Sequence, residues 1–390
     1  MHRRRVLQGL GLLGLAGPFP AFAKNDVAPK YLLLVQLGGG NDGLNTLAPF
    51  ESDSYRRLRP SLGLRSNQVI PVGASIHEGA LGLNSALARL VDQSWEQDLA
   101  LITGVGYPAQ DRSHFRSIQH WESGSDGQRI REQGWVTQSL DRLTGQNSIA
   151  GLSLVDHMRL FRGGSGVYSS FSRLSKVPEF MGESAVTGSS SLLDTINRQK
   201  QNLTHATEIF AASLQESRDK KLPVQFSRSS FGRQMESVLR LVSTGLDVPV
   251  IHADYGSFDT HRSQRNRHNG LLRGLANELA LLRTGLIKMG LWDQFLVMTY
   301  SEFGRTAKEN ANGGTDHGTA NTHFVMGGRV RSGIYGVHPK LPEFPREPYQ
   351  HTLDYRAIYD RVSQSWFGDK QAPWAEYSDP ELDQMLISHT

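Results

Sequence analysis

Four short apolar runs, three of them followed within a few residues by polar clusters, constrain this chain more than any other feature. They are Tyr31 to Leu37, Leu99 to Ile102, Val248 to Ile251 and Phe295 to Thr299. An apolar run of this length suits a strand covered on both faces, as in a parallel sheet. Between the runs the spacing turns helical: Leu83, Leu87 and Leu90, then Ser113 to Trp121, Gly134 to Leu143, Phe231 to Leu241, Asn269 to Met289 and Asp354 to Phe367. Ile149 to Val155 and His323 to Met326 read as extended. The alternation predicts an α/β fold with a mostly parallel central sheet and helices on both faces. Arg162 to Ser191, rich in Gly and Ser, reads as a long loop, and Ser190 to Lys221 as one or two surface helices. Nothing compels a domain boundary, so residues 24–390 are expected to form a single domain.

The first 23 residues have a separate logic. Arg3, Arg4 and Arg5 precede the apolar stretch Val6 to Ala16, followed by Pro18, Pro20 and the triplet Ala21-Phe22-Ala23. This is the layout of a secretory signal cleaved after Ala23. Its apolar part is shorter than the roughly 18 to 20 residues that span a bilayer, so cleavage leaves no stable membrane span. The arginines followed by Val6-Leu7-Gln8 resemble a twin-arginine signal, which implies the twin-arginine export machinery as a partner and a periplasmic or secreted destination. An uncleaved anchor is the alternative. Cleavage removes three of 42 basic residues, leaving 39 against 38 acidic ones, and this near-neutral balance argues against a nucleic-acid partner. The chain has no cysteine, which excludes disulfides and thiolate metal sites.

Open α/β sheets bind ligands beyond the carboxyl ends of their strands. After the first run comes Asn41-Asp42-Gly43-Leu44-Asn45-Thr46; after the third, the stretch from His252 to His261 that includes Asp254 and Asp259; after the fourth, Ser301-Glu302-Phe303-Gly304-Arg305-Thr306. Gly313-Gly314-Thr315-Asp316-His317-Gly318 precedes the next extended segment. Carboxylates and imidazoles would converge on one sheet edge, a donor set suited to a divalent cation that also relieves their mutual repulsion. Solvated loop polarity is the plainer reading for any one of them. Gly38-Gly39-Gly40-Asn41-Asp42-Gly43 also fits the dinucleotide-binding pattern G-x-G-x-x-G, but Pro49 interrupts the helix that should follow, and Glu51 and Asp53 come too early for the expected acidic residue.

Several segments together resemble a bacterial secreted family called domain of unknown function 1501, itself similar to the alkaline phosphatase and sulfatase superfamily. They are Leu37 to Thr46, Gly106-Tyr107-Pro108 with Arg112-Ser113-His114-Phe115, Ser257 to His261, Ser301 to Thr306, and Thr315 to Gly318. The resemblance implies a metal-binding Asp42 and a nucleophile, Ser113, opening a helix that ends at Ser123-Gly124. Arg112 or Arg116 would clamp the substrate's free oxygens. Asp259, His261 and His317 would bind one ion, with Glu302 as a further carboxylate. Where the superfamily usually shows Ser-Asp-His-Gly, this chain has Ser301-Glu302-Phe303-Gly304, and Phe303 cannot bind a metal. A second ion would then need Asp316 or His323. Helix capping is the alternative role for Ser113.

These features imply an exported hydrolase of phosphate or sulfate esters that uses one or two divalent ions, Zn, Mn, Mg or Ca, and acts on an anionic small molecule or glycan. The alternatives are a non-catalytic binding or assembly protein on the same fold and, more remotely, an exported dinucleotide-dependent oxidoreductase.

Overall fold

In the computed structural model the first apolar run is the strand Tyr31–Gly38, at the middle of a nine-stranded sheet. The structure describes residues 29–143, 149–170, 208, 212–213, 215–217, 220–344 and 348–387. The signal segment and most of the 171–219 stretch, where a long loop and surface helices are expected, lie outside the described residues.

Strand order across the sheet is Gly333–Tyr335, Leu99–Gly106, Asn321–Met326, Phe295–Tyr300, Tyr31–Gly38, Val250–Gly256, Ile149–Ser153 and Val167–Ser170, with Leu353–Asp354 also paired to Leu99–Gly106. Asn321–Met326 runs antiparallel to both neighbours, and the other pairings in this sheet are parallel.

The near-continuous apolar run has a simple cause. Along Tyr31–Leu37 side chains alternate between two cores. Tyr31, Leu33, Val35 and Leu37 meet the helices Ala88–Ser94, Ser230–Val242 and Gln264–Lys288. Leu32 and Leu34 face His114–Ser123, Trp135–Leu143 and Tyr355–Arg361 on the other side. With helices on both faces, neither side of the strand from Tyr31 to Val35 meets water, so neither side needs polar residues there; the one polar side chain, Gln36, comes at the half-buried carboxyl end.

One expected helix is displaced. Leu83 belongs to a hairpin, Val69–Ser75 with Gly79–Asn84, and the helix begins only at Ala88. Leu81 and Leu83 alternate inward along the strand, and Leu87 and Leu90 follow on the helix, so one core takes leucines from two periodicities.

Among the buried polar residues, His252 and His323 are both pushed by burial down to about 3. They stay neutral in the folded protein, whereas in the unfolded chain they take up protons near about pH 6.5. Their contribution to stability is therefore complete above that pH and is lost as pH falls toward about 3. Urea unfolding measured at about pH 7, 6, 5 and 4 should give a free energy that declines with each step below about pH 6.5. A value unchanged between about pH 6 and pH 4 would contradict this account.

Candidate metal centre

The parallel strands Tyr31–Gly38, Val250–Gly256 and Phe295–Tyr300 end side by side, with Gly38 opposite Gly256 and Gln36 opposite Tyr300. The segments that follow them therefore meet at one edge. Gly39 and Gly40 adopt positive φ, and a Cβ on Gly39 would stand 2.4 Å from the Asp259 nitrogen, one on Gly40 2.4 Å from the Phe303 ring. Only glycine lets the first segment approach the other two so closely. Both amides are engaged by Glu302: Gly39 N–H donates to Oε1 at 2.8 Å and Oε2 at 2.9 Å, and Gly40 N–H to Oε2 at 3.0 Å.

This corrects the dinucleotide reading of the glycines. The amides that would cradle a pyrophosphate already hold a carboxylate, and the helix that follows is only Gly43–Thr46. Burial works against the charge on Glu302, but the nearby His114 ring, 3.8 Å away, and the surrounding amides outweigh it and hold the carboxyl below its ordinary pKa.

Three donors converge beside this cradle. Asp259 Oδ1 lies 2.9 Å from His261 Nε2 and 3.2 Å from His317 Nε2, and the two Nε2 atoms are 3.0 Å apart. His317 sits on the short strand Thr315–His317, directly opposite Arg305. The carbonyl oxygen of Arg112 is 2.8 Å from His317 Nδ1; a carbonyl can only accept, so Nδ1 carries the proton. Burial lowers the His317 pKa, favouring the neutral ring, whose Nε2 lone pair then faces Asp259 and His261. Burial raises the pKa of Asp259, but the Arg305 guanidinium, through its hydrogen bond to Oδ1 and its charge, prevails and keeps it below the ordinary value.

Ligands about 2.0 to 2.2 Å from a common ion and at roughly right angles stand about 3 Å apart, so this triangle fits one face of a coordination shell. His114 completes the group. Its Nε2 is 3.6 Å from Asp259 Oδ2, and His114, Asp259 and His317 each offer a donor within 4.8 Å of the others.

The other expected residues are placed as follows. Asp42 is not in the triangle: its carboxylate is buried against Arg59, with Oδ2 2.7 Å from Nη1, accepts from Gln264 Nε2, and caps the helix Gly43–Thr46 through Asn45 N–H. Arg59 also donates to the carbonyls of Ala307 and Thr306, so the pair ties the first strand's end to the Arg305 hairpin. Asp316 is largely exposed, bonded to Asn310 and 3.6 Å from His261 Nδ1. His323 lies inside its strand with its ring edge-on to Trp121, apart from the triangle. Phe303 is buried with its ring 4.2 Å from that of His317 and 4.8 Å from that of His114, a wall that offers no donor.

Ser113 stands at the N-cap of His114–Ser123, but its hydroxyl makes no capping hydrogen bond. Its neighbours on either side, Arg112 through its carbonyl and His114 through its ring, both touch the cluster. Arg112 is exposed, and Arg116 is paired with Asp111 at 3.1 Å. Sequence reasoning missed His114 and Arg305 as site residues, although both lie inside the segments that carry the family resemblance.

Fold and site together define an α/β protein with an acid and imidazole cluster at the carboxyl edge of a mostly parallel sheet. The chain belongs to the family described as "Protein of unknown function (DUF1501)", whose sequence model matches residues 94–356. No curated protein matches it. Similar solved structures include the PsFucS1 sulfatase from Pseudoalteromonas sp., at a TM-score of 0.39 and 11% identity over 90% of this chain and 70% of that one. A protein in the alkaline phosphatase superfamily from Vibrio parahaemolyticus aligns at 0.36 and 11%, over 80% and 63% of the two chains. The phosphonate monoester hydrolase SpPMH from Silicibacter pomeroyi aligns at 0.35 and 10%, over 87% and 74%. No helix among the described residues is long and apolar enough to cross a membrane.

Proposed function

We propose that this protein is an exported, metal-dependent hydrolase of phosphate or sulfate esters. In this reading it leaves through the twin-arginine route, is cleaved after Ala23, and works as a single domain from residue 24 to 390. The observation that carries the proposal is the triangle of Asp259 Oδ1, His261 Nε2 and His317 Nε2, with edges of 2.9, 3.2 and 3.0 Å. These three residues hold one divalent ion, and His114 borders it. With Asp42 committed to Arg59 and both Glu302 oxygens committed to backbone amides, the donors suffice for one ion rather than two.

A divalent ion at such a site supplies Lewis acidity toward an ester oxygen and lowers the pKa of a bound hydroxyl. The chain does the rest. Ser113 Oγ bonds to phosphorus or sulfur while the bond from that atom to the alcohol oxygen breaks, and on balance the serine proton ends on the departing oxygen. Water then releases phosphate or sulfate and restores the hydroxyl. The amides opening the helix His114–Ser123 favour negative charge beside Ser113, and Arg112 and Arg116 attract the anionic ester.

Chelation is the simplest test. Aryl phosphate or aryl sulfate turnover should vanish after treatment with a chelator and return when a divalent ion is added back. Turnover that survives exhaustive chelation would reject metal dependence.

A second reading, a non-catalytic binding or assembly protein on the same fold, is favoured by one observation: Phe303, buried against His317 and His114, occupies the wall where another donor could stand. An ion bound stoichiometrically, with no turnover of any aryl ester, would favour that reading.

A further inference from the structure

Arg305 is the most enclosed cation of the site, with a side chain 0% exposed. Its guanidinium donates to Gly40 O at 2.7 Å, Thr315 O at 3.1 Å, Phe258 O at 3.0 Å and Asp259 Oδ1 at 2.8 Å, and also to Gly39 O. These acceptors come from three separate stretches of chain. Gly39 and Gly40 cradle Glu302, Phe258 precedes Asp259, and Thr315 opens the three-residue strand that ends at His317. Arg305 is also the register partner of His317 across that hairpin.

We propose that Arg305 is a positioning residue for the ion. It fixes the rotamer of Asp259 so that Oδ1 faces His261 and His317, and it holds the glycine segment and the two ligand-bearing segments in register. The proposal rests on the metal-centre reading above. A fixed cation next to an ion site opposes ion binding by repulsion. Charge alone is therefore a reason against an arginine here, and orientation is the reason for one. Lysine keeps the charge but lacks the planar fork of donors, so it cannot serve these acceptors together. Comparing arginine with lysine holds repulsion constant and isolates geometry.

The test is a Co2+ titration followed by visible absorption on the full-length wild type, Arg305→Lys and a control, Arg283→Lys. Arg283 forms a buried pair with Asp98 at 2.7 Å and touches none of the site residues. Arg305→Lys is expected to weaken Co2+ binding about 10- to 100-fold and to change the absorption bands that report ligand geometry. Arg283→Lys should lower thermal stability while leaving the Co2+ affinity and spectrum unchanged. A wild type that binds no Co2+ overturns the metal-centre reading and this proposal with it. Wild-type binding that is matched in affinity and spectrum by a folded Arg305→Lys overturns this proposal alone. Should Arg305→Lys fail to fold, the crystal structure of the Co2+-loaded wild type decides. A retained Arg305–Asp259 bond beside the ion supports the proposal, and an Asp259 carboxylate turned away from Arg305 overturns it.

Discussion

Asp259→Asn is expected to yield a folded protein that binds no divalent ion and hydrolyses aryl esters about a thousandfold more slowly or worse. Asp259 is the hub of the cluster: Oδ1 faces His261, His317 and Arg305, and Oδ2 faces His114. Asparagine preserves the shape and can still accept from Arg305, but it removes the one carboxylate of the donor triangle. Losing an ion's stabilisation of transition-state charge costs several kcal/mol, and about 4 kcal/mol corresponds to about 10^3 in rate. Alanine at the same position adds a second effect, because it strips Arg305 of its anionic partner and should lower the melting temperature as well. Elemental analysis of the purified variants, set beside aryl ester turnover, checks both. An asparagine variant that keeps a stoichiometric ion and wild-type turnover would contradict this role for Asp259.

Asp42→Ala is expected to do the reverse, costing stability while sparing the donor triangle. The Arg59 and Asp42 side chains are 0% and 1% exposed. Removing the carboxylate leaves a buried guanidinium without a counter-charge, a change that costs about 3 to 5 kcal/mol. Gln264 loses its acceptor as well, and the helix Gly43–Thr46 loses its cap. The bonds from Arg59 to Thr306, Ala307 and Asn45 remain and keep the segment near its place. Denaturant unfolding of the wild type and variant measures the loss, and elemental analysis at a denaturant-free, folded condition measures the ion. A variant as stable as the wild type but devoid of ion would reverse the assignment and make Asp42 a ligand.

The contrast between these two aspartates marks how far the sequence could be read. The sheet was legible because burial on both faces leaves runs such as Tyr31 to Leu37 almost entirely apolar, and that signal is local. The edge at which donors gather was legible for a related reason, since polar clusters follow three of the four runs. What Asp42 does was not legible, because its partners Arg59 and Gln264 are distant in the chain and no spacing rule joins them. The glycines at 38 to 40 matched a phosphate-binding pattern, yet Gly39 and Gly40 serve the approach of Asp259 and Phe303 and the seating of Glu302. His114 escaped notice because it sits beside the more conspicuous Ser113, and only the turn into the helix His114–Ser123 brings its ring to Asp259 and Glu302. Arg305 read as a motif arginine. That it is fully enclosed and bonded to three segments follows from tertiary packing alone.

X-ray absorption at the zinc edge tests the central claim most directly, because imidazole rings leave a scattering signature that carboxylates and water lack. Zinc-loaded wild-type protein should show about two imidazole ligands per ion, and His261→Ala and His317→Ala should each remove one. An all-oxygen shell, or an imidazole signal untouched by either substitution, would contradict the claim that Asp259, His261 and His317 together hold the ion.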